Sequence, residues 1–233
     1  MWVAIIAVVA LGLAGCGGDR SGGPRGTPDE IIGSAPEHTV GARTARVTID
    51  AIDARATGVV DFVAGASQLD LSDGTTVLLV GGTVYTRPTG ATQWRHATVD
   101  DLPASLRPAD PSVAVDLVNG AGNIRSDGGA EVRGASTLAY TVKVDPLTAA
   151  GAVPAGRAAA VRSAADIAGP GVVQLEVLVD AAGRIRRIQV PVPLRAGPPT
   201  TRPDGEYNVV TIDFDNFGTP ATIAVPAAND IAS

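Results

Sequence analysis

The sequence has a single cysteine, Cys16, among 233 residues. No internal disulfide can form, and a thiolate metal site is excluded. Histidine is almost as scarce. His38 and His96 sit on different elements without ligand spacing, and each reads as a surface side chain. Aromatic residues make up 3% of the chain, so the 45% that is apolar is mostly Val, Ala, Leu and Ile. Basic charge is short as well. Lys143 is the only lysine, the net charge is -6, and no charged side chain precedes Asp19. Nucleic acid, which requires a basic footprint, is excluded as a partner. An anionic membrane surface offers such a chain no attraction either. No apolar run reaches the ~20 residues needed to span a bilayer.

Catalytic motifs are missing too. Ser67 follows Gly65-Ala66, but Leu69 stands where a nucleophile elbow has its second glycine. Gly120-Ala121-Gly122 lacks the third glycine of a dinucleotide loop. Asp213 and Asp215 flank Phe214 and read as a solvated turn rather than a calcium site. Arg184, Arg186 and Arg187 form the one local basic cluster. It reads as a solvent-facing strand edge, with contact to an anionic headgroup as the sharper alternative. The expectation is a protein that is not an enzyme and carries no cofactor or metal.

What is present begins with ten apolar residues, Trp2 to Leu11, followed by Leu13-Ala14-Gly15-Cys16. This is the layout of a secretory signal with a small-residue cleavage site. Leu-Ala-Gly-Cys resembles the bacterial lipobox, whose cysteine is acylated and becomes the first residue of a lipoprotein. That resemblance gives the lone thiol its role, since the thiolate is the natural nucleophile for a lipid donor. Ahead of the apolar core stands Met1 alone, without the usual Lys or Arg. The expected division is a signal peptide over 1–15, a flexible tether over 16–28, and one domain over 29–233. Two acyl chains suffice to hold such a protein on a membrane.

Thr27-Pro28-Asp29-Glu30 predicts a helix start: a capping threonine, proline at the first position, then two acids. The helix ends near Gly41. From Thr44 the apolar period changes to two. Strands are expected from Thr44, over 57–64, over 68–72, over 75–80 and over 83–87, with Asp73-Gly74 and Gly81-Gly82 as hairpin turns. Asp100-Asp101 and Asp110-Pro111 open two short helices. Residues 122–133, rich in Gly and polar side chains, read as a loop or short edge hairpin. Strands follow over 138–144, 172–179, 184–190 and 207–214, with a helix over 156–168, and 191–203 is irregular. Nine or ten antiparallel strands with three or four short helices argue an α+β domain.

The order of these parts is similar to the mycobacterial LppX/LprG-type lipoproteins, and more distantly to the LolA/LolB-like fold. The residues that carry it are the lipobox and first helix, Gly58-Val59-Val60-Asp61-Phe62, Gly82-Thr83-Val84-Tyr85 with Trp94, and Asp110-Pro111. Tyr140-Thr141-Val142, Val177 to Arg184, and Phe217-Gly218 with Pro220, Ile223 and Pro226 complete it. The resemblance implies a half-barrel: one strongly curved antiparallel sheet with short helices on its concave face and an apolar cavity between the layers. It implies an exported protein, lipid-anchored to the outer face of the cell membrane. Such a protein binds a lipid or lipidated glycan for transport or presentation, with an envelope transporter as partner and a monomeric state.

The expected cavity lining comes from alternating strand positions: Val47, Ile49, Val60, Phe62, Leu69, Leu71, Leu79, Tyr140, Val142, Val177, Val179, Val210 and Ile212. A one-residue error in register would turn each of these to the other face. The second reading is an interaction or sensor lipoprotein of the same fold, with a filled core and a protein partner on its surface.

Overall fold

The computed structural model describes residues 23–107, 110–168, 171–193 and 207–232. Helix α1 spans Pro28–Gly41 and starts as its sequence dictates. The Thr27 backbone N–H donates to Glu30 Oε2 at 2.8 Å, and the Glu30 N–H donates back to Thr27 Oγ1 at 3.4 Å. This reciprocal capping satisfies two of the helix's orphan donors.

Six strands follow in sequence: β1 (Thr44–Asp50), β2 (Arg55–Asp61), β3 (Ala66–Leu71), β4 (Thr76–Val80), β5 (Thr83–Arg87) and β6 (Arg95–Ala97). They form a meander in which each strand pairs with the next. The β4–β5 turn is Gly81-Gly82, both at positive φ (59° and 81°), as a two-residue hairpin requires. Helix α2 (Pro111–Leu117) leads to β7 (Ala121–Val132) and β8 (Ala135–Val144). Helices α3 (Pro146–Ala152) and α4 (Ala155–Ala168) come next, then β9 (Val173–Asp180), β10 (Ile185–Pro193) and β11 (Tyr207–Asp215).

All eleven strands form one open antiparallel sheet, ordered β6-β5-β4-β3-β2-β1-β11-β10-β9-β8-β7. The first and last strands meet in its middle, with Val47 opposite Phe214 and Ile49 opposite Ile212. Two meanders are thereby fused into an α+β half-barrel. One apolar core lies between the sheet and the helices. Ile31 and Ile32 of α1, Val113 of α2 and Val161 of α4 share it with the inward strand positions. The segment after β11 bonds first to β1, through Gly218 N–H to the Thr44 carbonyl at 2.8 Å. It then reaches the β6 edge, where Trp94 N–H donates to the Asp230 carbonyl at 2.8 Å and Ala232 N–H donates to the Trp94 carbonyl at 2.7 Å.

Four sequence expectations change. Residues 122–133, expected as a loop or short edge hairpin, take the hairpin alternative at greater length: β7 is a twelve-residue edge strand paired with β8. Its pairing with β8 is interrupted between Gly122 and Arg125 and between Ser126 and Gly128, with positive φ at Asn123 and Gly128. Bulges of this kind let a Gly-rich polar segment pair through its backbone with no apolar alternation to reveal it. The three-residue β6 is added as well, which brings the count among the described residues to eleven. Pro146 does end β8, but it also opens α3, capped by Asp145, whose carboxylate accepts from the Leu147 N–H at 3.0 Å. Finally, Pro191 and Pro193 continue β10, opposite Val209 and Tyr207. The pairing of β10 with β9 stops at Gln189, so these prolines sit where one ladder has ended. The remainder of the expected irregular run, 194–203, lies outside the described residues, as do Cys16 and the signal segment.

Gly58 of β2 shows how closely the strands approach. A Cβ there would overlap the carbonyl oxygen of Gln68 on β3. Gly58→Ala is expected to destabilise the domain by about 1–3 kcal/mol, because the overlapped atom is backbone and cannot swing aside. Urea unfolding checks this; an unchanged midpoint would contradict it.

Candidate functional site

The thirteen positions expected to line a cavity all belong to the core between sheet and helices. Eleven are buried: Val47, Ile49, Val60, Phe62, Leu69, Tyr140, Val142, Val177, Val179, Val210 and Ile212. Leu71 and Leu79 are half-buried against the same cluster. Phe62 meets Phe214 at 5.7 Å between ring centroids, tilted by 57°, which closes the space around the centre of the sheet. Of the thirteen, Leu79 borders a cleft among the described residues.

That cleft lies towards the β6 side of the sheet. Leu79 of β4 and Thr83 and Val84 of β5 form its floor, beside Gly82 of the turn. Val99, Leu102 and Leu106 come from the segment between β6 and α2. Val113 of α2 and Ala160 and Ser163 of α4 supply the helix side. The space within the cleft is about 100 Å³. Two charged groups stand at its border, Arg107 and Asp110. Arg107 is tied down: its Nη2 donates to the Asp100 carbonyl at 2.8 Å, and its Nη1 lies 3.4 Å from the Asp100 carboxylate. Asp110 caps α2, accepting from the Ser112 N–H at 2.9 Å and the Val113 N–H at 3.4 Å. Burial pushes its pKa up, against those hydrogen bonds.

A second charged group sits deeper. Asp116 of α2 is 1% exposed and pairs with Arg157 of α4. Arg157 Nη1 also donates to the Phe62 carbonyl at 2.6 Å, just past the end of β2. One guanidinium thus fastens α4 to α2 and to the β2–β3 connection. The arrangement is incomplete: among the described residues Asp116 Oδ2 and Arg157 Nε find no hydrogen-bond partner, nor does Ser67 Oγ of β3. Burial pushes the Asp116 pKa up to about 6, although Arg157 pulls it down. Neither residue was singled out from the sequence. The signal was there, since Asp116 is the one charge inside the apolar run Val113 to Val118 and Arg157 opens an Ala-rich helix.

A broader hollow of about 320 Å³ lies between α1 and the β9–β10 turn. Arg25, Glu30, Ser34 and His38 line it, which makes it a wet surface groove. His38 Nδ1 lies 3.0 Å from the Ala182 carbonyl, and His96 stacks on Tyr85 at 4.8 Å between centroids. The arginine cluster is not a free anion site. Arg184 Nη2 and Arg186 Nε lie 3.0 and 2.7 Å from Asp180 Oδ2, and both guanidinium groups cover the Phe217 ring. Arg187 Nε donates to Asp213 Oδ1 at 2.6 Å, and Arg133 Nε lies 3.3 and 3.6 Å from Asp213 and Asp215. The charges that the sequence left open to a headgroup or a cation neutralise each other across neighbouring strands.

No protein-family model matches the chain, and no curated protein matches it by sequence. Solved structures do. LprF from Mycobacterium bovis superposes with a TM-score of 0.52 at 15% identity, covering 88% of this chain and 99% of that one. The Mycobacterium tuberculosis lipoprotein LppX gives 0.51 at 12% identity, covering 84% of this chain and 100% of that one. The half-barrel fold implied by the sequence resemblance is therefore the fold of this chain.

Proposed function

We propose that this chain, sharing the half-barrel of LprF and LppX, is an acylated cell-envelope lipoprotein that binds an aliphatic chain in the cleft under α4. The ligand class is a lipid or lipidated glycan, carried or presented at the outer face of the membrane. The acylated Cys16 would hold the protein there as a monomer, and an envelope transporter would supply or receive the ligand. Binding, not catalysis, is the role.

The observation that carries this reading is the cleft itself, walled by Leu79, Val84, Val99, Leu102, Leu106 and Val113. Each methylene removed from water is worth ~0.8 kcal/mol, so a sixteen-carbon chain brings on the order of 13 kcal/mol to an apolar site. The open space of about 100 Å³ is smaller than an engineered cavity of about 150 Å³ that admits benzene. It shelters a short stretch of chain while α4 is seated, and a longer stretch enters as α4 shifts. The inward grip of α4 comes from small side chains, Ala158 and Val161, together with Arg157.

A second reading is favoured by the dense packing of the other expected lining positions. In it the core stays filled and the surface binds a protein partner. Native mass spectrometry of the chain from Gly17 onward separates the two readings. An adduct that extracts as lipid, and uptake of a fluorescent fatty acid that Ala160→Trp weakens at least tenfold, is the expected result. A clean unliganded mass without uptake would establish the filled-core reading.

A further inference from the structure

We propose that the half-barrel rests on the bilayer through the turn tips at one end of its sheet, with Ile52, Leu147 and Val172 entering the apolar boundary of a zwitterionic membrane. The proposal rests on the acylation of Cys16 proposed above.

The strand register places these residues together. One row of partners crosses the sheet from Asp50 to Thr211, Gln189, Glu176 and Thr141. Ile52 lies two residues beyond that row, in the β1–β2 turn. Val172 lies four residues beyond it, just ahead of β9. Leu147 lies six beyond it, in the first turn of α3. All three are on the same side of the row. Their exposures are 74%, 62% and 72%. Val209, two residues past Thr211, is 49% exposed on the same side. The opposite end, by contrast, carries Val63 in the β2–β3 connection.

The occupant follows from spacing, charge and reach. The tips are spread over five adjacent strands, roughly 19 Å at ~4.8 Å per strand. Single side chains standing on separate elements are a poor match for the ~1,000 Å² or more of contiguous surface that a stable protein interface needs. A fluid lipid boundary accepts separate aliphatic side chains one by one. Among the described residues near the tips the charges include Asp53, the Asp50–Arg55 pair and one exposed cation, Lys143 near the end of β8; with a net charge of -6 on the chain, anionic lipid adds no overall attraction.

Reach is set by the tether. A Cβ on Gly23 would stand 2.6 Å from Leu138 Cγ, so the chain enters the fold directly over β8. From Leu138 to the end of β8 is six residues, ~20 Å. From Cys16 to Gly23 is seven residues, at most ~25 Å. The acylated residue therefore reaches the plane of the tips. Tethering also keeps the bilayer at a local concentration that makes weak insertion effective.

The test uses the mature acylated protein in phosphatidylcholine vesicles. Acylation blocks the Cys16 thiol, so Ile52→Cys, Leu147→Cys, Val172→Cys and Val63→Cys each carry one free thiol for an environment-sensitive fluorophore. Labels at 52, 147 and 172 are expected to shift to the blue with a severalfold rise in emission. The label at 63 is expected to stay aqueous, and added phosphatidylglycerol is expected to bring no gain. Emission from 52, 147 and 172 that stays aqueous, or a response at 63, overturns the docking geometry. A response that requires the anionic lipid overturns the insertion and leaves charge adsorption. The intact mass before labelling reports acylation separately, and an unmodified Cys16 overturns both the anchor and the docking built on it.

Discussion

Serine in place of Cys16 is expected to move the protein entirely from the membrane fraction to the soluble fraction, with the folded domain unchanged. A single acyl chain gives marginal membrane binding and two give stable anchoring, at ~0.8 kcal/mol per buried methylene. The hydroxyl of serine is a far weaker nucleophile than a thiolate, so no lipid is attached. No helix among the described residues is long and apolar enough to cross a membrane. The exposed tips at the sheet end act only while the tether holds the bilayer close. Detergent phase partition checks this, with the wild type in the detergent phase and Cys16→Ser in the aqueous phase. A variant that stays with the detergent would show that another element anchors the chain.

Removing the guanidinium that fastens α4 is expected to be costly in a pH-dependent way. Arg157→Ala leaves the Asp116 carboxylate buried without its partner, a change that costs about 3–5 kcal/mol in comparable sites. Asp116 already has a folded-state pKa of about 6 against an ordinary value of 3.8, chiefly because of burial. The folded chain therefore holds a proton between about pH 4 and pH 6 that the unfolded chain has released. Stability falls as pH rises through that window. The cost is complete above about pH 6, on the order of 2–3 kcal/mol.

Asp110, raised in the same direction, adds to the slope. Asp180 works the other way. Its burial is outweighed by hydrogen bonds from Arg184 and Arg186, so its pKa is lowered and its contribution is lost only as pH drops below about 4. Urea midpoints at pH 5 and pH 7.5 are expected to show the wild type more stable at pH 5. The cost of Arg157→Ala should also be smaller at pH 5, where Asp116 takes up a proton. Asp116→Asn should flatten the window. An equal cost of Arg157→Ala at both pH values would mean that Asp116 is not the titrating group.

Local chemistry made much of the fold legible. Thr27 and Glu30 announced α1 because a capping box needs only three residues of sequence. Asp73-Gly74 and Gly81-Gly82 announced hairpins because positive φ admits few residue types. The inward strand set was legible because alternation over Ala45, Val47 and Ile49, or over Tyr140 and Val142, survives in any half-buried strand. β7 was left open between a loop and a short edge hairpin because its sequence is rich in Gly, Asn, Ser and Asp, without the apolar alternation that marks a half-buried strand. The pairing of Arg187 with Asp213 across β10 and β11 was equally hidden, since charges that read as solvent-facing in one dimension become partners only when strands are laid side by side.

The sequence by itself determined the alternation that assigns strands an inner face and the caps and turns that bound the elements, and it carries the Leu-Ala-Gly-Cys stretch on which the proposed anchor rests. These depend on residues within a few positions of one another, where propensity and covalent geometry act directly. Only the tertiary structure decided that β1 and β11 meet at the centre of one open sheet, and that Asp116 and Arg157 meet under α4. It also decided that the open space lies beside β4 and β5, with most of the sheet's inner face packed. Those outcomes depend on side-chain volumes and charges brought together from distant parts of the chain, and no local periodicity encodes them.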